Sequence, residues 1–299
     1  MATMNGIDIS NHQGSMNLKN VLNGTNTKFV IMKVTEGTNF VDAYCDKFFQ
    51  SAKAAGVCLG IYHFARPENN SAKAEAEFFY KNAKNYFKDA IAILDWESSA
   101  KWNVAWAKEW LDTIYKLTGR KPMIYMSESV VNAYNWSSVA NANYGLWVAK
   151  YRDYGIDYNY NMSTAGSAPV VKWWKNYAMW QWTSVGRLTG YSGNLDCDIF
   201  YGDKAAWQKY LLSGSSSGKD VNTVYSYVNL NAKLPVLRKG AKGNAVKLVQ
   251  MIVGAKIDGD FGAKTEAAVK SWQAAHGLTD DGVVGQKTWT EMLKWLETV

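Results

Sequence analysis

The stretch AIAILDWESS, residues 90–99, governs how the rest of the chain is interpreted. Its five leading apolar residues predict a buried β-strand that runs directly into Asp95, Trp96 and Glu97. Because side chains alternate between the two faces of a strand, Asp95 and Glu97 are expected on one face and Trp96 on the other. Two carboxylates about 7 Å apart on a partly dry face repel each other, which should raise the pKa of one of them. A carboxyl group that keeps its proton near neutral pH can serve as a general acid.

Residues 1–212 alternate between strand-like and helix-like segments. The predicted strands are 5–9, 29–34, 57–64, 90–95, 122–126, 145–150, 177–183 and a last one within GNLDCDIF, residues 193–200. The predicted helices are 42–56, 71–87 and 103–119. Strands joined by long helices pair in parallel. About eight such units in about 200 residues predict an α/β fold, a βα-barrel with short final connections. A doubly wound open sheet is the alternative, although no GxGxxG turn supports it.

The sequence changes character after residue 212. The segment SGSSSGKD, residues 213–220, is rich in Ser and Gly, which predicts a flexible linker, and we assign residues 213–233 to it. Residues 234–299 carry three segments with apolar residues at helical spacing and a short repeat, DGDFGAKT at 258–265 and DGVVGQKT at 281–288. This pattern predicts a second domain that is a small three-helix bundle.

Composition and charge argue against several classes of protein. The net charge of +7 comes without a run of Lys or Arg, so we expect no nucleic-acid partner, although a basic chain is attracted to a polyanionic surface such as a bacterial wall. No apolar run approaches the roughly 18 residues that cross a membrane, so no membrane partner is expected. The N-terminal segment MATMNGIDIS lacks the basic and apolar regions of a signal peptide.

Cysteine and histidine usage predicts neither a metal site nor a cofactor. The three cysteines are an odd number without a CxxC pair, which argues against a disulfide framework and against a zinc site. The three histidines are far apart and form no HExxH or HxH pair. The 14 Trp and 18 Tyr, in contrast, supply flat faces on which sugar rings can stack.

Polar side chains recur near the ends of the predicted strands. They are Asp8, Lys33, Thr35, Glu36, Tyr62, His63, Tyr125, Lys150, Trp180 and Gln181, with Asp196 and Asp198 in the last strand. In a parallel barrel the C-terminal strand ends meet at one mouth, where active sites lie. Several carboxylates among aromatic walls, without a metal, predict the cleavage of a glycosidic bond.

These residues resemble glycoside hydrolase family 25, the Chalaropsis-type lysozymes. The matching segments occur in the family's order over residues 4–212 and are GIDISNHQG, FVIMKVTEG, GIYHFARP, ILDWE, MWQWTS and GNLDCDIF. The resemblance implies an irregular (β/α)5(β)3 barrel that hydrolyses the β-1,4 bond from N-acetylmuramic acid to N-acetylglucosamine in bacterial peptidoglycan. Residues 234–296 resemble the three-helix peptidoglycan-binding domain that is often fused to wall hydrolases, through LRKGAKGNAVKLVQ, DGDFGAKTEAAVKSWQ and DGVVGQKTWTEML.

The same resemblance implies roles for individual residues. Glu97 corresponds to the general acid, and Asp95 to a partner that acts electrostatically or orients the acetamido group of the substrate. Asp8 and Asp196 correspond to the two other catalytic carboxylates. Because the last motif carries a second acid, Asp198, either aspartate could reach the site, and we favour Asp196. The substrate-binding positions implied by the family are Tyr62, Lys33, Trp180, Gln181 and Asp198.

Two other functions are weighed against a muramidase. A chitinase would carry DxxDxDxE on this strand, and Glu97 and Asp95 fill its last two positions, but Ile93 and Ala90 stand where the earlier aspartates belong. A peptidoglycan-binding protein with an inactive barrel is the other alternative. A muramidase of this kind would be a phage endolysin or a bacterial autolysin that is made in the cytoplasm and released through a holin or by lysis.

Overall fold

The computed structural model describes residues 2–211 and 235–298 of the chain. The chain divides into two compact units between residues 214 and 215, and each is described by itself. The predicted linker, residues 213–233, lies outside the described residues.

Eight strands of the first unit close into a barrel. In chain order they are β1 (Met4–Ile9), β2 (Thr27–Glu36), β4 (Cys58–Phe64), β5 (Ala90–Asp95), β6 (Met123–Ser127), β7 (Gly145–Ala149), β9 (Met179–Arg187) and β10 (Leu195–Phe200). Strand β1 pairs with both β2 and β10, which closes the sheet. Two short strands, β3 (Phe40–Val41) and β8 (Asp157–Tyr158), pair with β2 and β9.

Helices follow each of the first five barrel strands. They are α1 (Leu18–Gly24), α2 (Cys45–Ala54), α3 (Ala72–Ala83), α4 (Val104–Thr118) and the short pair α5 (Glu128–Ala133) and α6 (Ser137–Asn141). Two 3-10 turns, Asn11–Gln13 and Met162–Thr164, lie in loops, and α7 (Lys204–Leu211) follows β10. This order confirms the predicted (β/α)5(β)3 arrangement. The alternative prediction, a doubly wound open sheet, is wrong.

Strand β10 runs against the direction of its neighbours. The strands from β1 to β9 along the barrel pair in parallel, whereas β10 is antiparallel to both β1 and β9. The barrel mouth at the carboxyl ends of the parallel strands is therefore reached by the start of β10. There Asp196 pairs with Asp8, whereas Asp198 pairs with Gly6, two residues deeper.

Two apolar layers cover the two faces of the barrel sheet. The inner layer fills the barrel and includes Phe29 and Ile93. The outer layer lies between the sheet and the helices and includes Leu94 and Trp96. Side chains therefore alternate along the segment from Ile93 onward, with Asp95 facing inward, as the sequence predicted.

Helix α4 shows how local sequence sets an element. The side-chain oxygen of Asn103 accepts a hydrogen bond from the backbone N–H of Trp106 at 3.2 Å, which caps the start of the helix. Trp106 and Trp110 recur one turn apart and are buried, and the Trp106 ring lies 5.4 Å from that of Trp96. Gly119 ends the helix with φ +67°, a left-handed conformation that glycine adopts without strain.

Residues 235–298, the described part of the second unit, contain three helices, α8 (Asn244–Ile252), α9 (Ala263–Ala275) and α10 (Gln286–Thr298), as predicted. Their shared core includes Val249, Phe261, Val269 and Trp289. None of the helices in the described ranges is both long and apolar enough to cross a membrane.

The sequence repeat of the second unit is a repeated hydrogen-bond device. The side-chain amide of Gln250 donates to Asp258 Oδ1 at 2.8 Å and Thr265 Oγ1 at 3.0 Å, and its Oε1 accepts from the backbone N–H of Gly259 at 2.8 Å. These hydrogen bonds connect the end of α8, which carries Gln250, to the Asp-Gly turn and to the start of α9.

The second copy repeats these contacts around Gln273. Its amide donates to Asp281 Oδ1 at 3.0 Å and Thr288 Oγ1 at 3.1 Å, and it accepts from the N–H of Gly282 at 2.8 Å. The turn glycines have matching left-handed φ values of +77° at Gly259 and +75° at Gly282.

Candidate active site

A cavity of about 230 Å³ opens at the mouth of the barrel. It is lined by all four carboxyl residues that the family resemblance marks as catalytic, Asp8, Asp95, Glu97 and Asp196. It is also lined by three of the five residues marked as substrate-binding, Lys33, Tyr62 and Gln181. Acids distant in sequence therefore meet in one cleft, as the strand-end pattern predicted.

The position of Glu97 is set by Trp96 on the opposite face of the sheet. The backbone N–H of Trp96 donates to the carbonyl oxygen of Tyr125 at 2.9 Å, and its indole Nε1 donates to the carbonyl oxygen of Lys101 at 3.2 Å. Because Trp96 is fully buried outward, Glu97 turns back to the cleft beside Asp95. Asp95 is buried, while Glu97 is exposed at the mouth.

Asp8 is held from behind by the side-chain amide of Gln181. Gln181 Nε2 donates to Asp8 Oδ2 at 2.5 Å, and Gln181 Oε1 accepts from the hydroxyl groups of Tyr125, at 2.6 Å, and Tyr151. A flipped amide would point its oxygen at the carboxylate, so these contacts fix the amide orientation. The four side chains form a connected polar network in the floor of the cleft.

Burial raises the pKa of the two inner carboxyl groups. The pKa of Asp8 is raised to about 7, because burial and the charge of Glu97 outweigh the hydrogen bonds that Asp8 accepts. The pKa of Asp95 is raised well above its usual value by burial first and then by the charges of Glu97 and Asp8. Asp95 Oδ1 is buried and receives no hydrogen bond within the described part of the chain.

The pKa values of Glu97 and Asp196 are also raised. For Glu97 the cause is desolvation in the cleft, which the positive charges of Lys101, Lys33 and Arg66 oppose. For Asp196 the causes are burial and then the charges of Asp8 and Glu97. The cleft therefore contains several acids that resist ionisation. Nearby cations lower the pKa chiefly of Glu97, the acid at the mouth.

Lys33 forms a cationic wall of the cleft. Its ammonium group pairs with Glu36 at 2.6 Å and lies 5.2 and 5.0 Å from the ring centroids of Phe40 and Phe64. Glu36 also accepts from Arg66 at 2.5 Å. The ammonium is thus held in one place by a carboxylate and by two aromatic faces.

The structure does not place Trp180, a predicted substrate-binding residue, among the side chains that line the cavity. Its indole is buried in the outer layer and donates to the carbonyl oxygen of Lys150 at 2.8 Å. Gln181 occupies the inward position of β9, so its neighbour must face outward.

Asp198, the other predicted substrate-binding residue outside the cavity lining, has a fully buried side chain and pairs with Gly6, two residues deeper than Asp8. Its Oδ1 accepts from the indole N–H of Trp147 at 3.0 Å. The antiparallel direction of β10 explains the depth of Asp198. The strand starts at the mouth, so Asp196 lies nearer to the mouth than Asp198.

Two other polar strand-end residues belong to a network behind the sheet. Thr35 Oγ1 lies 2.8 Å from His63 Nδ1, and His63 Nε2 lies 2.7 Å from Glu75 Oε2 of α3. All three side chains are fully buried. They tie β2 and β4 to the helix layer and lie on the face opposite the cleft.

Sequence reasoning did not assign several residues that line the cavity. These are Ile9, Ser10, His12, Gln13, Phe64, Trp147 and Tyr151, whereas Tyr125 is one of the predicted strand-end residues. Alternation identifies some of them, because Ser10 follows the inward Asp8 by two positions and Phe64 follows the inward Tyr62 by two. His12 and Gln13 lie in a 3-10 turn, for which strand alternation gives no signal.

Comparisons with known proteins agree with this geometry. The family model described as glycosyl hydrolases family 25 matches residues 7–191, and that of a peptidoglycan binding domain matches residues 244–292. Lysozyme M1 of Streptomyces globisporus is 31% identical over 216 residues, which cover 67% of this chain and 68% of the relative. The autolytic lysozyme of Clostridium acetobutylicum is 24% identical over an alignment 340 positions long, which covers 97% of this chain and 99% of the relative.

A solved structure shares the barrel. The crystal structure of the bacterial lysozyme from Streptomyces coelicolor aligns with a TM-score of 0.58 and 27% identity, covering 73% of this chain and 100% of that one. The family model alone spans more than half of the sequence. The chain therefore belongs to glycosyl hydrolase family 25, and a peptidoglycan-binding domain follows its barrel in the sequence.

Proposed function

We propose that the barrel is a muramidase that hydrolyses the β-1,4 bond between N-acetylmuramic acid and N-acetylglucosamine, with Glu97 as the general acid. The observation that carries this proposal is the position of Glu97: it is the exposed carboxyl group at the mouth of a cleft whose deeper acids are largely buried. An acid at the mouth can reach the oxygen of a bond in a long glycan strand.

The proposed reaction begins with proton transfer from Glu97 to the leaving glycosidic oxygen. The raised pKa of Glu97 keeps a proton available for this step. As the bond breaks, positive charge develops on the sugar ring, and carboxylates of the cleft stabilise that charge. Asp95, with Asp8 or Asp196, supplies this stabilisation, and all three line the same cavity.

The free oxygen of Asp95 supports a second role for this residue. Asp95 Oδ1 is buried and has no donor among the described residues, which is costly unless a ligand supplies one. The N–H group of an acetamido substituent is such a donor. We infer that Asp95 orients the N-acetyl group of the sugar whose bond is cleaved.

The second unit targets the enzyme to peptidoglycan in this proposal. A tethered binding domain raises the local concentration of wall glycan around the barrel. The autolytic lysozyme of Clostridium acetobutylicum matches nearly the full length of the chain, which supports a wall-lytic enzyme of the autolysin or endolysin kind. Release through a holin or by lysis of the producing cell belongs to the same proposal.

Digestion of purified Gram-positive walls tests the activity. The full chain should clear a wall suspension, and mass spectrometry should find muramic acid at the new reducing ends. Glucosamine at those ends would indicate a glucosaminidase, released peptide amines an amidase, and wall binding without cleavage an inactive barrel. Each of these three results would contradict the muramidase assignment.

A further inference from the structure

Glu75 of α3 is a fully buried acid that the proposed reaction does not use. Its carboxyl oxygens accept from the backbone N–H of Arg66 at 3.0 and 3.1 Å and from Asn70 Nδ2 at 2.9 Å. Its Oε2 also lies 2.7 Å from His63 Nε2. The carboxyl group therefore holds the end of β4 and both ends of the loop segment 66–70 in one place.

The loop that Glu75 holds borders the cleft. The backbone N–H of Ala65 donates to the carbonyl oxygen of Asp95 at 3.1 Å. The side chain of Arg66 donates through Nε and Nη2 to Glu36 Oε1 at 2.8 and 2.5 Å. Its Cζ lies 4.6 Å from the ring centroid of Phe64, which lines the cavity. A carboxylate and an aromatic face thus fix the guanidinium group.

Glu36 extends this restraint to the cavity wall. Its second carboxyl oxygen, Oε2, accepts from Lys33 Nζ at 2.6 Å, and Lys33 lines the cavity. The charges of Lys33 and Arg66 both lower the pKa of Glu97. A continuous series of direct contacts therefore leads from Glu75, on the outer face of the sheet, to the two cations that act on the general acid.

We propose that Glu75 is a positioning residue of the active site, which acts through Arg66 and sets the place of the Lys33 ammonium group in the cleft. It rests on the proposed function, because the position of this ammonium group affects turnover only if the cleft is catalytic. A buried carboxyl group is costly, and apolar packing would attach α3 to the sheet at lower cost. A carboxyl group, in contrast, can orient several N–H donors at once.

Two substitutions of Glu75 separate positioning from the removal of charge. Glu75→Met has a similar length but no acceptor for the N–H of Arg66, whereas Glu75→Gln keeps one acceptor oxygen. We expect the Met variant to lose roughly 5- to 30-fold in kcat/KM on soluble glycan fragments. Its alkaline limb should move up by about 0.5 to 1 pH unit, because the cations withdraw from Glu97. The Gln variant should restore both quantities.

A direct effect of the Glu75 charge would have the opposite sign. Loss of that charge alone would lower the pKa of Glu97 and move the alkaline limb of both variants to lower pH, which would overturn the proposal. An unmoved limb in Glu75→Met would overturn it as well. Val131→Ala, which opens a cavity in the same outer layer, is the control for lost stability. An equal limb shift in this control would also contradict positioning.

A double variant tests the route through Lys33. If Glu75 acts through this residue, Glu75→Met combined with Lys33→Met should lose less in kcat/KM than the product of the two single losses, because the second change finds its target already removed. A loss equal to the full product would mean that Glu75 acts independently of Lys33, and it would overturn the proposal.

Nitrogen-15 NMR of the lysine ammonium groups does not depend on activity. The signal of Lys33, assigned by its absence in Lys33→Met, should shift in Glu75→Met and return in Glu75→Gln. An unchanged signal in Glu75→Met would refute the proposal. Glu75→Asp, which is one methylene shorter, replaces the Met variant if that variant does not fold. An enzyme inactive on walls would contradict the proposed function but leave this spectroscopic result intact.

Discussion

Gln181 Nε2 lies 2.5 Å from Asp8 Oδ2, although 173 positions of sequence separate the two residues. The contact joins strand β9 to strand β1 across the barrel mouth, and the two tyrosine hydroxyl groups on Gln181 Oε1 fix its direction. Asp8 is therefore the most firmly oriented of the cleft acids, while Glu97 is the exposed acid at the rim.

Replacement of Glu97 tests the general acid. Glu97→Gln should lower kcat by roughly 10²- to 10⁴-fold, because the amide cannot deliver a proton to the leaving oxygen. Turnover of soluble glycan fragments measures the effect, and wall pull-down should stay unchanged. Glu77→Gln, at an exposed position of α3, is the matched control. Near-normal turnover by Glu97→Gln would remove this residue from the role.

Removal of the Gln181 amide should shift the titration of Asp8. Gln181→Leu deletes a donor that favours the charged form, so the pKa of Asp8 rises above about 7 and the acid limb of the activity profile moves to higher pH. The pH dependence of kcat/KM measures this shift, with the exposed Gln50→Leu as control. If the acid limb does not move, the titration of Asp8 does not determine that limb.

Neutralising Asp95 should stabilise the fold at the expense of activity. The pKa of Asp95 is raised in the folded protein, so its favourable contribution is complete below about pH 4 and is lost as pH rises toward the folded value. Asp95→Asn should therefore raise the free energy of unfolding by about 1–3 kcal/mol at pH 8 and by much less at pH 4.

Chemical denaturation of both proteins at the two pH values measures this difference. Asp46→Asn, at an exposed position of α2, controls for general charge effects. A gain of equal size at both pH values would mean that packing, rather than ionisation, is responsible.

Lys33 should tune the general acid. Its charge lowers the pKa of Glu97 and of Asp95, so Lys33→Met should raise both and move the alkaline limb of the activity profile to higher pH. Kinetics on soluble fragments from pH 4 to pH 9 measure the shift, and Lys53→Met, an exposed ion-pair lysine, is the control. A shift to lower pH would contradict this electrostatic assignment.

The repeated glutamines allow a test of wall targeting in the full chain. Gln250→Leu leaves buried partners unsatisfied and should destabilise the second unit by about 2–4 kcal/mol. Wall pull-down and wall clearing should fall together, while turnover of soluble fragments stays constant. The exposed Gln286→Leu is the matched control. Undiminished wall clearing by a variant with an unfolded second unit would argue against targeting.

Local sequence was sufficient to predict most of the barrel strands and the direction in which some of the site's side chains point. The period of two along residues 93–97 follows from the strand itself, so the inward Asp95 and outward Trp96 needed no tertiary information. Capping at Asn103 and Gly119 likewise fixed α4 within the predicted bounds.

Long-range pairing could not be predicted from local sequence. The segment MWQWT shows two alternating sets, but both faces of a barrel sheet are buried, so composition does not tell that Trp180 faces outward and Gln181 inward. The depth difference between Asp196 and Asp198 depends on β10 being antiparallel to β1, which is a property of distant partners.

The anchoring of Trp96 gives this enzyme a built-in optical probe. Its indole is fixed on the outer face while the next residue reaches the cleft, and it lies 5.4 Å from the Trp106 ring at an angle of 32°. Two indoles this close couple electronically, so near-ultraviolet circular dichroism and fluorescence of the pair report on the backbone that carries Glu97. If ligand binding moves the backbone at Glu97, we expect this signal to change without an attached dye.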